Sequence, residues 1–261
     1  MNKARSAPPS RIRAVASVLR RNIRVWRKYM ISSMLGSLTE PFLYLLALGY
    51  GLGALITEVE GMSYVQFIAP GLVVSASMYA ATFEGTYGTF TRLVPQHTFE
   101  GILATPVGVA EIVLAEILYS SIKALTAGCA VLAVVSIFGL AHSPIVLLIP
   151  FLSLITGILF GGLAVLVAGA SPSYDFFNYY FTLVVTPLFL FSGIFFPLGQ
   201  LPEWAQTIAW FSPLTHAANL SRALFLGQLN PDLLVNAGWL LGATLVPIYP
   251  AYLLLRRRLI K

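Results

Sequence analysis

Six stretches of the chain are apolar enough, for long enough, to cross a bilayer, which takes about 20 residues each. They run over 31–56, 62–83, 112–140, 144–168, 176–198 and 233–255. Three other segments alternate between apolar and polar positions. In 10–30, Ile12, Val15, Ala16, Leu19, Ile23, Trp26 and Met30 recur at spacings of three and four, with Arg13, Arg20, Arg24 and Arg27 largely opposite. This pattern predicts an amphipathic helix with a basic face, lying in the membrane interface. Between the second and third spans, residues 92–106 hold a short helix over 96–103 and a stop at Thr105–Pro106. Arg92, Gln96, His97, Thr98 and Glu100 make it polar. The third segment, 200–226, reads as two short helices broken at Ser212–Pro213. Pro202 and Glu203 suit a first helical turn, and Trp204, Ile208 and Phe211 form an apolar stripe. Thr215, His216, Asn219 and Arg222 then share one side. Two short amphipathic helices ahead of a last span predict a re-entrant hairpin. Its non-helical tip must be buried in protein or line a wet cavity.

Composition supports an all-α, polytopic membrane protein with a single transmembrane domain over 1–261. Charged residues make up 10% and the mean hydropathy is +0.82, against about 25% charged in soluble domains. The polar residues are too few to coat a soluble surface. A net charge of +6 would suggest nucleic acid in a soluble protein, but its placement points elsewhere. Nine of the 16 Lys and Arg lie in 1–28 and four more in 256–261. Positive-inside bias then puts both termini in the cytoplasm, and six crossings satisfy that parity. No cleaved signal peptide is expected, since the first apolar run starts near Met30 and is too long. The single Cys129 allows no internal disulfide.

Catalytic patterns are missing from the sequence: no H-E-x-x-H, no G-x-S-x-G, no C-x-x-C and no phosphate-binding P-loop. No metal site is expected, because His97, His142 and His216 fall in different loops and the first and last belong to opposite sides of the bilayer. Ionisable groups inside a membrane are costly and therefore mark function. Glu40 precedes Pro41 in the first span, Glu116 and Lys123 lie seven residues apart in the third and are expected either to partner each other through water or to cap neighbouring helices, and Asp175 sits at the inner mouth of the fifth. The central parts of the second, fourth, fifth and sixth spans carry no charge, which argues for an external energy source. A short cytoplasmic helix joining two spans can transmit force from a soluble motor.

Three stretches resemble the type-2 ATP-binding-cassette exporter permeases, most closely the nodulation protein J group linked to lipo-oligosaccharide export. They are "TEPFLYLLALGYGLG" (39–53), "QHTFEGILATPVGVAEIVLAE" (96–116) and the long segment 171–227, with its polar-aromatic mouth, aromatic exit and proline-marked hairpin. The resemblance implies a bacterial inner-membrane half-transporter. Two copies would pair with two copies of a separate ATPase subunit, which binds the ATP and Mg. Arg92, Gln96, His97, Thr98 and Glu100 would belong to a coupling loop at 92–106, and 200–226 would be an extracellular re-entrant element. The passenger, an amphipathic glycan or lipid, would pass along a dimer interface near spans one, two and five. Pathway residues would be Glu40, Asp175 and the aromatics Tyr44, Tyr50, Tyr79, Tyr174, Tyr179, Tyr180, Phe189, Phe195 and Phe196. A stand-alone secondary carrier or intramembrane lipid-modifying enzyme stays open as a different class, as do drug or polysaccharide substrates.

Overall fold

A computed structural model describes residues 10–56, 58–141, 143–228 and 230–260; His142 lies outside these. Five helices are long and apolar enough to cross a membrane: α2 (Met30–Ala54), α3 (Tyr64–Leu93), α5 (Val109–Ile137), α6 (Pro144–Ala170) and α10 (Asp232–Leu259). Between and before them lie α1 (Arg11–Trp26), α4 (Thr98–Leu103), α7 (175–190), α8 (Glu203–Phe211) and α9 (Pro213–Leu226).

The expected fifth span differs from the other five. α7 stops at Leu190 and the chain continues as irregular backbone to Pro197. A helix of that length covers about 24 Å, short of the roughly 30 Å hydrocarbon layer. The segment nonetheless follows the length of α3. At one end the Tyr174 hydroxyl lies 2.7 Å from Thr91 Oγ1, and at the other the Tyr64 hydroxyl donates to the Phe195 carbonyl at 3.1 Å. Gly193, at φ +75°, makes the turn that releases the helix. The freed backbone is held by protein: the Arg222 guanidinium donates to the Gly193 carbonyl at 2.8 Å.

α3 runs ten residues past the expected end at 83. Glu84 and Arg92 are therefore inside a helix rather than in a loop. They can stay there because they pair with each other, at 2.9 Å. Close packing against α6 also needs Gly85, whose added Cβ would lie 2.6 Å from the Cβ of Ala164.

The core is α3, α5 and α6 packed through small residues. The close approach of α6 to α5 uses Gly157 and Gly161. A Cβ on Gly157 would sit 2.7 Å from the Ser121 α-carbon, and one on Gly161 would sit 2.7 Å from Ser120 Cβ. Small faces let two helix backbones approach, which strengthens dispersion where lipid offers no hydrophobic drive.

α1 ends at Trp26, short of 30, and docks on α5. Its protein-facing residues are Ala14, Val18, Asn22 and Trp26. Of the stripe read from the sequence only Trp26 is on this face, and Ile12 is 82% exposed. The helix has two apolar faces, and spacing alone does not say which one meets protein.

Candidate functional site

A cavity of about 890 Å³ forms a groove walled by α2, α3 and α7 and closed at its base by α1 and α5. Exposed Ser32, Gly36, Glu40 and Phe83 form its rim, so it opens to the side of the chain. Each of the three wall helices contains a π-helical turn: Leu45–Gly51, Glu84–Gly88 and Phe181–Val185. Such turns widen a helix by one residue and recur at functional sites. The one in α3 swings Glu84 and Tyr87 onto the groove wall. Gly88 leaves room for the Glu84 carboxylate, since a Cβ there would lie 2.1 Å from Glu84 Oε1.

The two ends of the groove differ in chemistry. Its upper part is aromatic: Tyr44, Tyr79 and Phe189 line it, and Phe195 packs behind them, with ring centroids 5.0 to 5.6 Å apart. Its base is ionic. Glu116, fully buried, accepts from Asn22 Nδ2 at 2.8 Å, from Thr89 Oγ1 at 3.0 Å and from Arg92 Nε at 3.0 Å. Arg92 Nη2 bridges Glu116 and Glu84. Lys123 donates to Ser33 Oγ and lies 4.0 Å from the other oxygen of Glu84. Its ammonium sits over the rings of Trp26, at 5.0 Å, and Tyr29, at 5.8 Å. Two carboxylates and two cations thus neutralise one another, and every Glu116 contact is a hydrogen bond. Burying charge without such pairing is costly. Along the side, Ser32, Ser33 and Ser37 offer hydroxyls.

This cluster decides one sequence expectation and corrects another. Of the two readings of Glu116 and Lys123, they bond to neighbouring helices rather than to each other: Glu116 turns to α1 and α3, and Lys123 turns to α2. The reason is that α1 and the extended α3 bring Asn22 and Arg92 to Glu116 first. Arg92 is likewise not on the polar surface of the connecting segment. Its side chain is 12% exposed and belongs to the groove. The remaining members of that set are where the pattern put them. Gln96, His97 and Glu100 are exposed, with His97 Nδ1 2.9 Å from Glu100 Oε1. Thr98 Oγ1 donates to Gln96 Oε1 at 3.3 Å. His97 takes a left-handed φ of 47° to start α4. Phe99, fully buried among Leu93, Ile112, Val113 and Leu255, anchors it.

Four of the eleven pathway residues read from sequence line the groove: Glu40, Tyr44, Tyr79 and Phe189. Phe195 joins them from behind. Tyr174 belongs to a second aromatic cluster with Tyr87, Phe90 and Phe177, where α7 begins. Tyr50 meets Phe138 instead, with ring centroids 6.4 Å apart. Asp175 and Tyr179 are exposed, Tyr180 packs on Phe181, and Phe196 is half-buried. The groove residues that sequence reasoning missed include Asn22, Tyr29, Ser33, Glu84 and Tyr119. Glu84 had a signal: it stands two turns and one inserted residue before Arg92 in a run with no proline.

At the opposite end of the bundle from α4, α8 and α9 form the hairpin. Pro202 precedes α8, whose Trp204, Ile208 and Phe211 are exposed together. α9 is buried against α3, with Ser221 donating to the Pro70 carbonyl at 2.7 Å and Arg222 lying 4.1 Å over the Phe67 ring. His216, 2% exposed, stacks on Trp239. The tip of the hairpin is thus level with a residue two turns inside α10.

Residues 13–226 match the family described as ABC-2 type transporter. Nodulation protein J of Rhizobium leguminosarum bv. trifolii is 39% identical over 94% of both chains. Its namesake in Neorhizobium galegae is 37% identical over 97% of both. The inner membrane transport permease YadH of Escherichia coli (strain K12) is 25% identical over 85% of both.

Proposed function

Since the chain belongs to the ABC-2 type transporter family, we propose that it is the permease subunit of an ATP-driven exporter whose cargo is a lipid-linked oligosaccharide or similar amphipathic glycan. The family makes it an ABC transporter membrane subunit that associates with an ATPase subunit. The observation that carries the cargo reading is the two-sided groove, aromatic above and ionic with serine hydroxyls below. Aromatic rings suit acyl chains and the apolar faces of sugars, while tyrosines keep a hydroxyl for hydrogen bonding. The open side matches a conduit completed by a second copy. α2 and α7 flank that opening and present Leu35, Leu43, Tyr179 and Leu183 to the outside.

In this reading α4 lies in the cytoplasm with both termini and docks on the ATPase through Gln96, His97, Thr98 and Glu100. The hairpin 200–226 lies outside. Force on α4 reaches the groove through Arg92, six residues before it begins and already hydrogen-bonded to Glu84 and Glu116. The arrangement supplies a conduit and a lever, and the ATPase supplies the work.

The test is reconstitution. The chain, co-expressed with a candidate P-loop ATPase subunit, is expected to copurify and to hydrolyse ATP faster when an amphipathic glycolipid is added. Uptake by vesicles holding this chain alone, driven by an ion gradient, would overturn the reading.

A further inference from the structure

Between the hairpin and the first turns of α10 lies a second cavity, about 380 Å³, distant from the groove. Its size falls in the range of small-molecule sites and suits a mono- or disaccharide. Thr215 lines it, is 2% exposed, and its hydroxyl has no hydrogen-bond partner among the described residues. A buried hydroxyl left unpaired costs about 1–3 kcal/mol, so such groups normally meet a partner. Around it stand Asn219 and the Asp232 carboxylate, with no side-chain hydrogen bonds among the described residues, and Gln206, whose amide nitrogen is taken by the Leu201 carbonyl at 2.8 Å. That leaves Gln206 Oε1 as an acceptor. At the cavity wall Trp210 is 49% exposed.

The wall behind is rigid. His216 is held between Asn236 Oδ1 and the Trp210 carbonyl, both at 2.7 Å, and stacks on Trp239 with centroids 4.6 Å apart. Asn236 in turn donates to the Asp232 carbonyl at 2.9 Å. The free groups are therefore preorganised, which lowers the entropy lost on binding.

The lining selects a ligand class. No Lys or Arg lines the cavity and both ring nitrogens of His216 are already engaged, so a phosphate or carboxylate would find no free cationic donor. Asp232 is its one carboxylate, and a lone carboxylate among amides is a poor set for a hard cation. Amides, a hydroxyl and a carboxylate together offer many donors and acceptors without net selectivity for charge. An exposed indole adds a flat apolar face. A ring bearing several hydroxyls on its edges and C–H groups on its faces matches both.

We infer that this pocket is a pyranose-binding site on the hairpin. The sugar is either the glycan head of the cargo or a free sugar on that side of the membrane, and the two share the same chemistry. Only the first source rests on the export reading; binding itself needs no ATPase, so its failure would leave that reading intact.

The experiment is calorimetric titration of the full chain, in nanodiscs free of glycoside detergent, with N-acetyl-D-glucosamine and D-glucose. Binding in the millimolar range is expected for at least one of them, with no heat from acyclic D-sorbitol. Thr215→Val keeps shape and removes the unpaired hydroxyl, so it is expected to fold at least as stably and to weaken binding about tenfold, the worth of one good hydrogen bond. Trp210→Ala, at an exposed ring, is expected to weaken it by a similar factor. Absence of binding, equal binding of sorbitol, or unchanged affinity in both variants would overturn the site. An alkyl glucoside placed in the bilayer then separates the sources: loss of the free-sugar signal assigns the pocket to a lipid-borne glycan, and an undiminished signal assigns it to free sugar.

Discussion

Arg92, Lys123 and Arg222 are the three basic residues that lie outside the clusters at the chain ends, and each is satisfied differently. Arg92 uses two carboxylates, Lys123 a hydroxyl and two aromatic rings, and Arg222 a backbone carbonyl and the Phe67 ring. Of these, Arg92 makes two of its three side-chain hydrogen bonds to one partner, Glu116. Glu116→Ala would remove that partner and also strip Asn22 and Thr89 of their acceptor. Breaking one side of a buried pair costs about 3–5 kcal/mol, so the midpoint of thermal unfolding in lipid or mild detergent is expected to fall sharply. Glu116→Gln, which keeps the shape and one carbonyl oxygen, is expected to cost less. Equal stability of Glu116→Ala and the parent chain would remove the structural role assigned here. That Glu116 mattered was legible in the sequence, since a carboxylate in an apolar span must have a partner. Its partner was not, because Asn22 is 94 residues away along the chain and local spacing says nothing about contacts at that separation.

At the scale of elements, backbone proximity decides. Gly157→Val would push a branched side chain into Ser121 and Ala124 of α5, where a Cβ alone already comes within 2.7 Å. Overpacking of this kind costs about 1–3 kcal/mol, and a lowered unfolding midpoint is expected. Gly242→Ala, with nothing within 4 Å, is the control and is expected to be neutral or mildly stabilising. α4 is a different case. Its exposed Glu100 contributes little to stability, since the His97–Glu100 pair is open to solvent. Glu100→Lys is therefore expected to fold normally and to abolish substrate-stimulated ATP hydrolysis in the assembled transporter. Normal stimulation in that variant would remove the coupling assignment. Here the Thr105–Pro106 stop and the polar run announced a short helix correctly. The extension of α3 to Leu93 stayed hidden because hydropathy treats Glu84 and Arg92 as a membrane edge, whereas paired in space they are tolerated within the bundle.

For the whole molecule, the open groove sets the expectation. If two copies close it through α2 and α7, then Leu35→Cys and Leu183→Cys, each placed in a Cys129→Ala background, are expected to yield crosslinked dimers with a short bismaleimide. Leu147→Cys on α6, also exposed, is expected not to. Crosslinking at Leu147 with none at Leu35 or Leu183 would place the interface elsewhere and leave the groove facing lipid.

The amino-acid order alone determined the membrane class, five of the apolar spans, the short helix between the second and third, and the two helices of the hairpin. These follow from hydropathy over windows of about 20 residues and from proline and glycine punctuation, both local properties. Tertiary structure decided which face of α1 meets protein, where α7 gives up its helix, and how four charges from α3 and α5 neutralise one another. Those outcomes depend on side chains far apart in the chain. A buried charge is tolerated or not according to what stands within a few ångströms of it, and that is known only once the helices have packed.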